Sequence, residues 1–255
     1  MSENLTDVVP EPVENPDDNG WVDEGFKDVA DMPSDEELAE EVKQLSPEEQ
    51  LEVLTETVTR HPLNREILYK TLAYCVEEHP LPDIEAQIAT FPQFKSCTQN
   101  QFALISMLTR AGGLECIEYD EQGNRVLPEQ KIGLTEDEED DLVWSFSYKT
   151  TEVGARFVEQ HQPRARLIEM MNLNPNRKEA YAQVLEFIGA KTRSFPEIDA
   201  LLRGNPALET IINGRNETMQ PSVFVDKLER NGALVWDKGW NLTEEGREYL
   251  EELKQ

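Results

Sequence analysis

Two stretches of this chain are divergent copies of one another, and that duplication limits the fold more than any other feature. The run SPEEQLEVLTETVTRHPLNREILYKTLAY from Ser46 is echoed by QPRARLIEMMNLNPNRKEAYAQVLEF from Gln162, and the echo continues towards the C-terminus. At a spacing of 112 residues, Asn64, Arg65, Tyr69 and Leu72 align with Asn176, Arg177, Tyr181 and Val184. At 120, Thr98, Leu108, Arg110, Gly112 and Leu114 align with Thr218, Leu228, Arg230, Gly232 and Leu234. At 92, Tyr148, Thr151, Glu152 and Gly154 align with Trp240, Thr243, Glu244 and Gly246. The step from 120 to 92 locates 28 extra residues in the first copy, between Leu114 and Tyr148. No short solenoid period is present, so the chain reads as two related domains of roughly 100 residues each rather than a repeat array.

The expected organisation is an acidic, mostly disordered tail over residues 1–45, a first domain over 46–161 and a second over 162–255. The chain has no apolar run near the ~20 residues of a membrane span, and its opening MSENLTDVVPEPVE lacks the basic and apolar regions of a secretory signal. A cytoplasmic protein with no membrane association is expected. Its three cysteines, Cys75, Cys97 and Cys116, are odd in number and widely spaced, which fits reduced, small buried side chains. The three histidines show no i, i+4 pair and none lies at ligand spacing from a cysteine, so no metal or cofactor is expected.

Charge is unevenly distributed. The chain carries a net −28, of which residues 1–45 hold −13 and residues 115–141 hold −9, whereas residues 176–255 hold only −3. The first 33 residues are too polar to offset the entropy of ordering, but Trp21 and Phe26 stand in the acidic stretch GWVDEGFKDVADM as candidate docking anchors. A short helix through Leu38 and Val42 follows, with Ser34 and Glu37 spaced as a capping box.

Both copies use the same punctuation. Ser46, Pro47 and Glu49 make a capping box with proline at the first helical position, and Pro163 opens the equivalent helix in the second copy. Helical spacing recurs in Ile67, Leu68, Leu72 and Val76, and in Tyr181, Val184, Leu185 and Ile188. Shorter helices carry Ile84, Ile88 and Phe91, then Ile198, Leu201 and Leu202. TQNQFALISMLTRAGGL and TMQPSVFVDKLERNGAL each predict a helix stopped by Gly112 or Gly232, where a left-handed residue fits. Leu234–Trp236 then predicts a strand, Asp237–Gly239 a turn, and Trp240–Leu242 a returning strand before Thr243 caps a last helix.

Three helices, a β-hairpin and a closing helix are the element order of a winged-helix domain. LERNGALVWDKGWNLTEEGREYL resembles that family in its residues as well, with a helix ending in leucine and glycine, a hairpin, and an "LT, two residues, G" ending. The first copy keeps Thr151 and Gly154 but has Thr150 in place of the leucine, and its wing is expanded. The expected fold class is therefore mainly α with small β-hairpins (α+β), arranged as two tandem winged-helix domains behind the tail.

The resemblance implies a third helix able to enter a major groove and a wing able to touch phosphates. On the first copy that stripe is Gln99, Ala103, Ser106 and Arg110; on the second it is Met219, Val223, Asp226 and Arg230. Asp226 would face the phosphates, and the first wing carries TEDEEDD over residues 135–141. A strong DNA site neutralises several phosphates, of the order of ~6 to 10. The second copy offers Lys191, Arg193, Lys227, Arg230 and Lys238 towards that number. The partner expected is accordingly a protein, one with a basic surface, contacted through Trp21, Phe26, Gln99, Ser106, Arg110, Asp226, Arg230 or Lys238. DNA regulation by the second copy is the alternative, and a homodimer is a further option. Trp144, Trp236 and Trp240 read as core or wing-packing aromatics. No phosphate-cradling loop, nucleophile elbow or metal-binding helix pair is present in the sequence, so the expectation is a non-enzymatic binding protein.

Overall fold

A computed structural model describes residues 34–212 and 214–254. The tail anchors Trp21 and Phe26 lie outside the described residues. From Asp35 onward the chain forms one compact unit, mainly helical with small antiparallel sheets. The helix expected around Leu38 and Val42 is α1, Asp35–Lys43. It is followed by α2 (Pro47–Thr59), α3 (Pro62–Tyr74), the two-residue β1 (His79–Pro80), α4 (Leu81–Thr90) and a 3-10 turn at Pro92–Ser96. Next come α5 (Gln101–Arg110), β2 (Leu114–Tyr119), the short α6 (Pro128–Lys131) and α7 (Glu136–Leu142), β3 (Ser145–Thr150) and α8 (Glu152–Gln160). Only His161 and Gln162 separate α8 from α9 (Pro163–Leu173). The rest runs α10 (Lys178–Ala190), α11 (Phe195–Leu202), β4 (Glu209–Ile212), β5 (Arg215–Thr218), α12 (Ser222–Arg230), β6 (Leu234–Trp236), β7 (Trp240–Leu242) and α13 (Glu244–Leu253).

Local chemistry accounts for these boundaries. Ser46 accepts from the Glu49 amide while the Glu49 carboxylate accepts from the Ser46 amide at 2.9 Å, so α2 starts at Pro47. Asn100 Oδ1 accepts from the Ala103 amide at 2.7 Å and starts α5 at Gln101. Gly112 (φ 71) and Gly232 (φ 81) take the left-handed conformation that ends α5 and α12.

Two apolar clusters fill the unit. One gathers Leu54, Ile67, Leu72, Ile88, Leu104, Leu108 and Phe157 from α2 to α8, the other Leu167, Tyr181, Val184, Ile198, Phe224, Leu228 and Leu250 from α9 to α13. The duplication seen in the sequence is visible in the sheets. In the first half β1, β3 and β2 form a three-stranded antiparallel sheet with β3 in the middle. In the second half β6 pairs with β7, and Arg193, from the α10–α11 connection, bridges Trp240 through two backbone hydrogen bonds of 2.7 and 3.0 Å, in the place β1 occupies.

The threonine and glycine shared by both copies make one device, built twice. Thr151 Oγ1 donates to the Gly112 carbonyl at 2.7 Å and accepts from the Gly154 amide at 3.1 Å. Thr243 Oγ1 donates to the Gly232 carbonyl at 2.5 Å and accepts from the Gly246 amide at 2.9 Å. Each threonine therefore caps its closing helix and ties it to the glycine that ended the helix before the hairpin. A Cβ on Gly154 would overlap the Gly113 carbonyl, and one on Gly246 the Ala233 carbonyl, so only glycine lets the closing helix lie this close.

Two expectations are corrected. The helix expected from Thr218 starts only at Ser222, because residues 209–218 form the β4–β5 hairpin, whose register pairs Glu209 with Thr218 and Ile212 with Arg215. Trp144 does not pack in a core: it is 72% exposed, its backbone amide pinned to the Tyr119 carbonyl at 2.7 Å while the ring projects outward. Trp236 and Trp240 do pack together across the hairpin, edge to face with centroids 5.3 Å apart.

Candidate functional site

The surfaces to be judged are the two helices that precede the hairpins, α5 and α12, and the hairpins themselves. On α5 the accessible stripe is shorter than the sequence suggests, since Gln99 precedes the Asn100 cap and is not on the helix. What remains of it is met by α1. Asp35 pairs with Arg110 at 3.0 Å, Ala39 is buried, and a Cβ on Gly112 would stand 3.0 Å from the Val42 methyl, which shows how closely α1 approaches the end of α5. Thr109 is buried, and so is Ser106 one turn earlier on the helix. Ser106 therefore offers no free contact surface, and Arg110 already has an acidic partner.

On the second half, the basic residues do not converge on one free patch. Arg193 donates to the Phe187 carbonyl at 2.9 Å, lies 3.6 Å over the Phe187 ring and pairs with Glu197 at 3.3 Å. Lys191 reaches the same carboxylate at 3.8 Å. That carboxylate also closes a capping box on Ser194, whose amide and hydroxyl donors pull its pKa down to about 2. Arg230 pairs with Asp226, one turn before it on α12, at 2.8 Å. Among the described residues Lys227 and Lys238 form no ion pair, and Lys238 stands at the hairpin tip with φ 56.

The second half also leans on the first through these same elements. β6 packs on the 3-10 turn Pro92–Ser96, α12 packs on α3, and Asp237 of the hairpin turn pairs with Lys95 at 2.8 Å. Deeper in, Glu66 of α3 and Arg166 of α9 form an ion pair of 2.6 Å with both side chains at least nine-tenths buried. Arg166 also donates to the Arg230 carbonyl at 3.2 Å and lies 5.5 Å from the centre of the Tyr69 ring. Lys70 and Glu245 add a half-buried pair at 3.2 Å. His161, in the joint, stacks on Phe157 at 4.2 Å, and burial followed by the charges of Arg65 and Arg166 lowers its pKa.

The first hairpin is elaborated rather than occupied. Asp120 accepts from the amides of Gln122 and Asn124 at 2.9 and 2.8 Å and folds the turn after β2. Val126 returns to donate to the Glu118 carbonyl at 2.9 Å, and Thr135 with Glu138 makes a capping box on α7. The two basic residues of the segment are engaged, Arg125 with Glu78 at 2.6 Å and Lys131 with Glu118 at 2.7 Å. A groove of about 750 Å³ runs between α1, β2, the segment around Leu127 and the start of α8. Among the described residues no group of three or more His, Cys, Asp or Glu side chains is placed to hold a metal ion, and no helix is long and apolar enough to cross a membrane.

Comparison of the chain with protein-family models, curated proteins and solved structures gave no match.

Proposed function

We propose that the chain is a non-enzymatic tandem winged-helix protein that acts as a protein-interaction or adaptor module, with its two winged-helix units held as one body. The repeated order of three helices, hairpin and closing helix behind an opening helix, with a third short strand or bridge completing each sheet, supports the winged-helix reading. One observation carries the choice of protein over DNA: the surfaces a winged helix would lay on a duplex are partly covered or charge-neutralised by other residues of the chain. The first copy's helix α5 is met by the acidic α1, the second copy's hairpin turn is tied to the first half through Asp237 and Lys95, and on α12 the exposed Arg230 is neutralised by Asp226. The net charge of −28 adds a long-range field that repels polyanions.

A DNA-binding regulator using the second copy is the competing reading, favoured by Lys227 and Lys238, which form no ion pair among the described residues. Fluorescence anisotropy of the full chain with a labelled random duplex separates the two. At about 50 mM salt, where screening is weak, binding weaker than ~10 μM supports the adaptor reading. Tight, sequence-selective binding by the intact chain overturns it.

A further inference from the structure

Large apolar side chains are exposed unusually densely in the expanded first hairpin. Among the described residues 13 large hydrophobic side chains are exposed, and five of them lie within residues 127–146: Leu127 at 53%, Ile132 at 80%, Leu134 at 37%, Trp144 at 72% and Phe146 at 38%. Scattered surface apolar residues need no explanation, but a concentration of them on an ordered element does. The backbone and ion pairs bring most of them to the same end of the sheet. Phe146 pairs directly with Glu118 across β2 and β3, and the residue before Leu127 donates to the Glu118 carbonyl. Lys131, adjacent to Ile132, is tied to the Glu118 carboxylate, and Trp144 donates its amide to the Tyr119 carbonyl. Leu127, Ile132, Trp144 and Phe146 are thus each within one residue of an anchor on Glu118 or Tyr119. Leu127 also lines the groove beside α1, so the exposed set continues into a concave surface.

The rim is acidic. Residues 115–141 carry a net −9, and both bases that temper it are already in ion pairs. Among the described residues Glu121, Glu129, Asp137, Glu139, Asp140 and Asp141 form no ion pair. Exposed apolar side chains set in a segment with an excess of unpaired carboxylates are complementary to an amphipathic segment with apolar anchors and lysine or arginine flanks. A second copy of this chain would bring a net −28 against that rim, and an anionic lipid surface or nucleic acid would be repelled in the same way.

The geometry points to the expanded first hairpin as a docking surface for a basic amphipathic segment of a partner protein, with Trp144 and Ile132 as the apolar anchors and the carboxylates of residues 137–141 as the charge that orients it. This rests on the protein-binding reading given above. It differs from charge attraction alone, because a purely electrostatic surface has no use for an exposed tryptophan.

The test titrates the full chain with a labelled synthetic peptide of leucine and lysine at helical spacing, about 16 residues long, beside oligolysine of equal charge. The leucine–lysine peptide is expected to bind at least ~10-fold more tightly than oligolysine, and the Trp144→Ala, Ile132→Ala double variant to lose at least ~10-fold, with an unchanged melting temperature because both side chains are exposed. Asp140→Asn with Asp141→Asn is expected to weaken binding and flatten its salt dependence. Equal affinity for the two peptides overturns the proposal. Peptide binding that ignores both variants overturns the placement on this hairpin while leaving the adaptor reading standing. A parent dimer in light scattering that the Trp144→Ala, Ile132→Ala variant dissolves assigns the surface to a second copy and overturns the basic partner. Tight duplex binding without peptide binding overturns the adaptor reading itself.

Discussion

Removing the Glu66 carboxylate is the sharpest way to test how the two halves are held together. In the folded chain its partner Arg166 is 6% exposed at the side chain, and Glu66 is 7% exposed. Glu66→Ala leaves a buried guanidinium with the Arg230 carbonyl as its remaining hydrogen-bond acceptor. Breaking a buried pair from one side costs about 3 to 5 kcal/mol, since the surviving charge stays desolvated. With a urea m-value of about 2.5 kcal/mol/M, as suits a unit of this size, the midpoint falls by about 1 to 2 M. The pair is also incompletely satisfied: among the described residues Glu66 Oε2 and Arg166 Nε and Nη2 have no hydrogen-bond partner. Replacing both residues, as Glu66→Leu with Arg166→Met, is therefore expected to recover most of the loss or exceed the parent, because the orphaned polar atoms disappear with the charges. Urea unfolding followed by tryptophan fluorescence reads both variants. A single variant within about 0.3 M of the parent midpoint, or a double variant less stable than the single, would refute this account of the interface.

Further expectations follow from other features. Gly154→Ala and Gly246→Ala should each destabilise by about 1 to 3 kcal/mol in thermal unfolding, since the new methyl meets a backbone carbonyl, and two tolerated substitutions would show that the closing helices can shift. Cys75, fully buried with its thiol pushed up to about 12 by desolvation, should resist iodoacetamide at pH 8 in the native protein and react once the chain is unfolded in urea; rapid native labelling would contradict its placement. The Glu197 carboxyl should titrate near 2 rather than at its ordinary 4.5. A depressed carboxyl pKa contributes stability above the ordinary value and loses it as pH falls through the folded one, so the α11 cap weakens between about 4.5 and 2; carbon-detected NMR of Ser194→Ala should show that midpoint move up.

Much of the fold was legible because its signals are local. Ser46 with Glu49, Gly112 and Gly232, and the hairpin from Leu234 to Leu242 each state their conformation within a few residues, and each is found where the sequence puts it. The β4–β5 hairpin has a local signal in Asn213–Gly214 between Thr210–Ile212 and Arg215–Thr218, but the step in spacing from 112 to 120 between the copies marks only extra residues there, not their conformation. The candidate surfaces were less legible. Whether Ser106 is open depends on tertiary packing around α5, Arg193 is absorbed by Phe187 and Glu197, and Trp144 is left exposed beside the start of β3. Residue type and spacing say nothing of such long-range cover. The one signal that could have identified the exposed hairpin set was the density of Leu127, Ile132, Leu134 and Trp144 inside an acidic insertion.

The joint between the halves, two residues long and backed by the Glu66–Arg166 pair, sets a mechanical property of the molecule. A flexible tether between two binding modules lets each find its target separately and multiplies their affinities through a local concentration. A stiff joint does the opposite: it fixes the separation and the angle. A partner docked on the first hairpin, as proposed above, would be carried at a set distance from one docked on the second half, so the proposed adaptor would behave as a gauge, accepting partners whose own spacing matches and rejecting those whose spacing does not.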